Sequence, residues 1–138
     1  MTIIGCYFSP NRRLVDFEGW LDEVGTVVAR NRSCPVLVLG DFNAKSTAWG
    51  SPGTCARGES LEKWAITQGL VVLNRGSVNT CVRQQGGSIV DLTFASPALA
   101  RGVRNWRVLE RLETLSDHRY IRFSVSARSL DPQFLGPR

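Results

Sequence analysis

Cys34–Asn43, CPVLVLGDFN, is the stretch from which the fold can be worked out. Val36 to Leu39 form an uninterrupted apolar run, the pattern of a central strand covered on both faces. The run ends at Gly40, and Asp41 and Asn43 follow on one side because strand side chains alternate. Ligands gather at the C-terminal ends of such strands. A carboxylate beside an amide suits the orienting of a water or a phosphoryl oxygen, and an Asx turn closing the strand uses the same residues.

Upstream, TIIGCYF is a short run of β formers that stops at Ser9-Pro10-Asn11, a strand running into a turn. Phe17, Leu21, Val24 and Val28 then fall at i, i+4, i+7 and i+11, one stripe of an amphipathic helix. Strand, helix and strand make a βαβ unit. Downstream, Ala44 to Arg57 has no periodicity and reads as a long ordered loop. A helix is expected from about Glu59 to Gln68, with Leu61, Trp64 and Ala65 inward and Gly69 as its C-terminal cap. LVVLN is a strand. Short strands and turns follow: Thr80 to Arg83, a turn at Gly86-Gly87, Ile89 to Ala95, a break at Ser96-Pro97, Trp106 to Leu109, and Tyr120 to Val125. Residues 1–127 thus read as one mixed α/β domain and 128–138 as a loose tail.

The four cysteines, Cys6, Cys34, Cys55 and Cys81, are far apart and form no C-x-x-C, so they are expected to be reduced and mostly buried thiols. No apolar run reaches the length of a membrane span, and MTIIGCYF has no basic lead or cleavage-type ending, so an intracellular protein without a membrane partner is expected. The net charge of +5 favours a polyanionic partner such as nucleic acid.

Two further stretches carry chemistry. In GGSIVDLTFAS, Asp91 interrupts Ile89, Val90, Leu92 and Phe94 in what reads as the middle of a strong strand, where an ionised carboxylate needs a partner. An arginine would give a structural ion pair; the sharper alternative is His118, the only histidine. It lies in LSDHRYIRFSV, where Ile121, Phe123 and Val125 alternate with Tyr120, Arg122 and Ser124, so Asp117-His118 sits at the mouth of a strand.

YFSPN at Tyr7 to Asn11, GDFNA at Gly40 to Ala44, SIVDLTFAS at Ser88 to Ser96 and LSDH at Leu115 to His118 resemble, in order and rough spacing, the later motifs of the endonuclease/exonuclease/phosphatase superfamily. AWGSP after GDFNA, RG..L..W....GL..LN.G and VDLTFAS..L are similar in particular to the endonuclease domains of non-LTR retrotransposons, including the type that targets ribosomal DNA. The resemblance implies the C-terminal half of a four-layer α/β sandwich like that of deoxyribonuclease I, with a mixed, mostly antiparallel sheet and flanking helices. In the family an earlier half supplies an asparagine and a metal-binding glutamate. Without it, one sheet face should be apolar and uncovered.

The resemblance also implies roles. Asp41 positions the attacking water, Asn43 steadies it, His118 acts on the phosphate or the nucleophile, Asp91 holds the histidine's tautomer, and Tyr7 reaches a phosphate oxygen. Asp117 helps to bind Mg²⁺ or Mn²⁺, weakly in the absence of the glutamate. Asn11, Arg83 and Ser88 are assigned to nucleic acid, the last two on a hairpin that relatives project toward DNA. The implied function is a magnesium-dependent DNA endonuclease of a retroelement, nuclear in that case, with DNA as substrate and either the family's N-terminal half or a self-associating copy as partner. The alternatives are a phosphatase of the same fold and a catalytically silent remnant that binds nucleic acid by charge. Arg101, Arg104, Arg107 and Arg111 are close enough to track phosphates, or else form a solvated basic face.

Overall fold

The computed structural model describes residues 1–126; the expected tail at 128–138 lies outside them. The first third builds the expected βαβ unit: β1 (Thr2–Tyr7), α1 (Leu14–Arg30) and β2 (Val36–Asp41). The two strands run parallel, with Thr2 opposite Val36 and Tyr7 opposite Asp41. They approach so closely at Gly40 (φ +146°) that a Cβ there would lie 1.9 Å from the Cys6 carbonyl oxygen, so only glycine fits.

The remaining elements are α2 (Ala56–Gln68), β3 (Val71–Val72), β4 (Cys81–Arg83), β5 (Gly86–Ser88), β6 (Asp91–Ala95), α3 (Pro97–Arg101), β7 (Val103–Val108) and β8 (Ile121–Val125). The main sheet has the order β1-β2-β6-β3, in which only β1 and β2 are parallel; β4–β5 and β7–β8 are separate antiparallel pairs. Within the expected loop, Thr47–Trp49 forms a 3-10 turn and α2 begins at Ala56, three residues before the predicted start. The hairpin turn is at Gln84-Gln85, and Gly86 and Gly87 belong to β5. Asp91 opens β6 instead of interrupting it: Ile89 and Val90 are buried but lie outside the strand. Burial without sheet pairing explains the misreading, since an apolar run looks the same in both settings. Of the cysteines only Cys81 is buried; Cys55 is exposed, and burial pushes the half-buried Cys6 thiol up to about 11.

The two faces of the main sheet are covered differently. On one, Phe17, Leu21, Val24 and Val28 of α1 and Leu61, Trp64 and Ala65 of α2 pack on Val36, Val38, Leu92 and Phe94. Phe42 and Phe94 meet edge to face with centroids 5.6 Å apart, and Trp64 Nε1 donates to the Leu21 carbonyl at 2.8 Å. On the other, Leu37, Leu73, Ala95, Leu99 and Trp106 form a second core, with Ile121, Phe123 and Val125 of β8 half-buried against it. Ile3 and Tyr7 share this face, since they stand opposite Leu37 and Asp41 in register, yet they are 59% and 65% exposed. Among the described residues no helix is long and apolar enough to cross a membrane.

Candidate active site

Asp41, the last residue of β2, and Asp91, the first of β6, are Cα partners in the antiparallel ladder. Directly opposite residues share a face, so both carboxylates rise from the same edge of the partly covered side. The third group arrives from the chain before β8: a backbone bridge pairs His118 with Cys81 of β4, and Val82 N–H donates to the Asp117 carbonyl at 2.8 Å. His118 Nδ1 lies 2.8 Å from Asp91 Oδ2 and 3.0 Å from Oδ1. A carboxylate only accepts, so Nδ1 carries the proton and Nε2 is the free basic nitrogen. Nε2 faces Asp41 Oδ2 at 3.7 Å, too far for a direct hydrogen bond.

Burial raises the pKa of Asp41, the facing Asp91 adds to the rise, and the Asn43 N–H, His118 and Arg83 oppose it. The Asn43 N–H donates to Asp41 Oδ1 at 3.0 Å, and Asn43 Nδ2 donates to the Phe8 carbonyl at 2.8 Å. Asn43 itself has φ +46°, a left-handed conformation that asparagine tolerates better than most residues. The turn after β2 is therefore an Asx turn, and it holds the Asp41 carboxylate on the side of His118.

The other sequence candidates are spread around this centre. Tyr7 projects from the same sheet face beside Asp41, exposed. Asn11 lies in the exposed turn after β1, where its N–H donates to Ser9 Oγ at 3.3 Å. Ser88 is in β5 opposite Cys81, and its carbonyl accepts from Thr80 N–H, so its described contacts are with the hairpin. Arg83 Nε pairs with Asp117 Oδ2 at 3.3 Å, and both side chains are more than half exposed at the mouth of the site. Asp41, Asp91 and His118 can each turn one ligand atom to within 4.8 Å of the others, and Asp117 is outside that group. Arg104 and Arg107 donate to nearby carbonyls on an exposed surface, as a solvated basic face would.

Two residues that position the site were not singled out from the sequence. Thr80, fully buried, accepts at Oγ1 from the N–H groups of Val90 and Asp91, both at 3.1 Å, and its carbonyl accepts from Arg119 N–H. It ties the start of β6 to the residue after His118. Asn74 accepts from Thr93 N–H at 2.9 Å and donates to the Asp91 carbonyl at 3.1 Å, completing the edge of β6 where β3 stops. Its signal was present in LN.G; a lone buried threonine has none.

A comparison with curated proteins gives no match. Among solved structures, the endonuclease domain of TRAS1, a telomere-specific non-LTR retrotransposon, is similar at 34% identity and a TM-score of 0.78, covering 86% of this chain and 52% of that one. A 3'-5' exonuclease (NExo) from Neisseria meningitidis shares the fold at 20% identity and a TM-score of 0.69, over 89% of this chain and 60% of that one. The same fold recurs, at 18% identity and a TM-score of 0.70, in the 3' phosphatase NExo from Neisseria bound to a product DNA hairpin, over 90% and 60% of the two chains. The chain thus spans about half to three fifths of the structures it matches, and its mixed α/β architecture is that of deoxyribonuclease I-like endonucleases. The profile of the endonuclease-reverse transcriptase family matches residues 1–122, and the chain belongs to that family.

Proposed function

We propose that this chain carries the water-orienting and histidine part of a metal-dependent endonuclease that hydrolyses DNA phosphodiesters. The observation that supports it most is the Asp91–His118 pair with its free imidazole nitrogen 3.7 Å from Asp41, whose carboxylate the Asn43 N–H holds. In hydrolysis a water oxygen bonds to phosphorus, the bond to the leaving sugar oxygen breaks, and the water's proton must go to a base. Asp41 would orient the water and accept its proton, helped by a raised pKa that makes it a better base than an exposed aspartate. Asp91 fixes the imidazole, so that Nε2 is presented to the cleft and its protonated form can steady the phosphate oxygens.

Asp41 and Asp91 bring carboxylate oxygens within 4.8 Å of each other, and these two would hold a hard divalent cation while His118 keeps its Nδ1–H on Asp91. Asp117 would join it by releasing Arg83. When bound, Mg²⁺ or Mn²⁺ would supply neutralisation of charge on the phosphate. Arg83, freed by the same exchange, would meet a phosphate, with Tyr7 and Asn11 as further contacts to DNA.

The open part of the sheet around Ile3 and Tyr7 supports the reading that a further segment, the N-terminal half that the resemblance implies or a second copy, covers this face. Nuclear action on chromosomal DNA belongs to the same proposal. The test is nicking of supercoiled plasmid with and without Mg²⁺, by the chain alone and fused behind a family N-terminal half that carries the glutamate. The chain alone should nick negligibly and the fusion should be active. His118→Ala in the fusion should lower turnover at least about a hundredfold, the size of a general acid–base contribution, with DNA binding nearly intact. Robust nicking by the isolated chain or an active His118→Ala fusion refutes the assignment. Release of phosphate from 3'-phosphorylated ends without nicking would indicate a phosphatase, and DNA binding without turnover in either protein a silent binder.

A further inference from the structure

The geometry points to Arg57 as a positioning residue for the phosphodiester site, a role that rests on the function proposed above and that none of the motif assignments includes. Arg57 lies in the first turn of α2, half-buried, with its guanidinium 5.0 Å from the Phe8 ring centroid and 5.3 Å from that of Phe17. Nη1 donates to the carbonyls of Ser9 at 3.1 Å and Asn43 at 3.4 Å. Nη2 donates to the carbonyl of Pro10 at 3.3 Å and to that of Arg12. The two terminal nitrogens of a guanidinium carry four N–H bonds, and here four carbonyls receive them.

Those carbonyls belong to the two loops that follow β1 and β2, beside Asp41. Ser9, Pro10 and Arg12 follow Tyr7 at the end of β1, and Asn43 is the left-handed residue whose N–H holds the Asp41 carboxylate. A path of single contacts therefore runs from Arg57 through the Asn43 main chain, its carbonyl and its N–H, to Asp41, and a second closes it, because Asn43 Nδ2 donates to the Phe8 carbonyl. The next residue makes the approach feasible. A Cβ on Gly58 would lie 1.9 Å from the Lys45 carbonyl oxygen, so glycine lets the first turn of α2 press against the loop. Cys55 N–H donates to that same carbonyl at 3.0 Å, and Ser46 Oγ donates to Glu62 of α2. The Arg-Gly of RG..L..W is thus a brace: glycine admits the helix, and arginine clamps both loops to it. Lysine cannot replace it, since one ammonium offers three donors and no planar fork.

The test uses Arg57→Met, which keeps an apolar stem against the phenylalanines, and Arg57→Lys as a milder second variant. Amide exchange by NMR on the 138-residue chain should show protection of the Asn43 N–H falling at least about tenfold in both variants, while Phe94 in β6 keeps its protection. In the active fusion, kcat should fall at least about tenfold with KM within about twofold, the pattern of a lost interaction that matters in the transition state. Unchanged Asn43 exchange, an equal loss of protection at Phe94, a wild-type kcat, or a rise in KM alone overturns the inference. Failure of the underlying function looks different: the unsubstituted fusion would be inactive while the exchange result still established the brace.

Discussion

The two faces of the same four strands have different fates. The helix side is closed by α1 and α2 and holds Phe17, Phe42 and Phe94 at 1% exposure or less. The opposite side is closed only where β7 and β8 lie, over Leu37, Leu73 and Ala95, and it opens toward Ile3 and Tyr7. The two carboxylates opposite each other in the ladder, Asp41 and Asp91, stand on this second side. The larger aromatic core lies on one face and the candidate site on the other, so a substitution's expected consequence depends on which way its side chain points along the strand, more than on its distance from the site.

The largest expected effect is on the closed face. Phe94→Ala empties the meeting point of Phe42, Trp49 and Trp64 and should cost about 3–5 kcal/mol, measured by urea unfolding. Leu37→Ala, under β7 and β8, should cost about 2–5 kcal/mol and fall in the lower part of that range if the covering strands collapse onto the gap. Equal losses at the two positions would erase the distinction between the faces. Next comes Asp41→Asn, which should raise the thermal midpoint of the chain at neutral pH and, placed in the active fusion, abolish turnover. The folded chain favours the protonated form of Asp41, so the carboxylate disfavours folding increasingly as pH rises from the ordinary value of 3.8 through the raised one. The advantage of the Asn variant should accordingly be complete at pH 7 and shrink as the pH is lowered through that window; a pH-independent difference would remove burial as the cause. The smallest effect is Ile3→Ser on the open face, within about 0.5 kcal/mol in stability. Its signature would be weaker self-association by light scattering, and a monodisperse parent chain would show that the face needs no cover.

The βαβ unit was legible in the sequence because its apolar stripes have clean periods, and the Asp91–His118 pairing stood as one of two alternatives beside an arginine, singled out by the family resemblance. The strand limits around Ile89 and Val90 were not legible, since burial and sheet pairing leave the same apolar run. The hairpin turn was misplaced because two glycines resemble a turn more than Gln84-Gln85 does. The clamp by Arg57 was hidden for a different reason: its partners are backbone carbonyls, which every sequence possesses, so no residue type announces them.

Asn74 offers its side-chain amide to β6 in place of a peptide group. The amide group has one acceptor and one donor at the spacing of a rung, so the ladder is finished by a side chain while the backbone is already leaving the sheet. The main chain from residue 75 onward is thereby released from the geometry of a strand, and within a few residues it turns to place Thr80 and Cys81 beside His118. One amide thus uncouples two requirements that normally compete in a sheet, the need to saturate an edge and the need to depart from it.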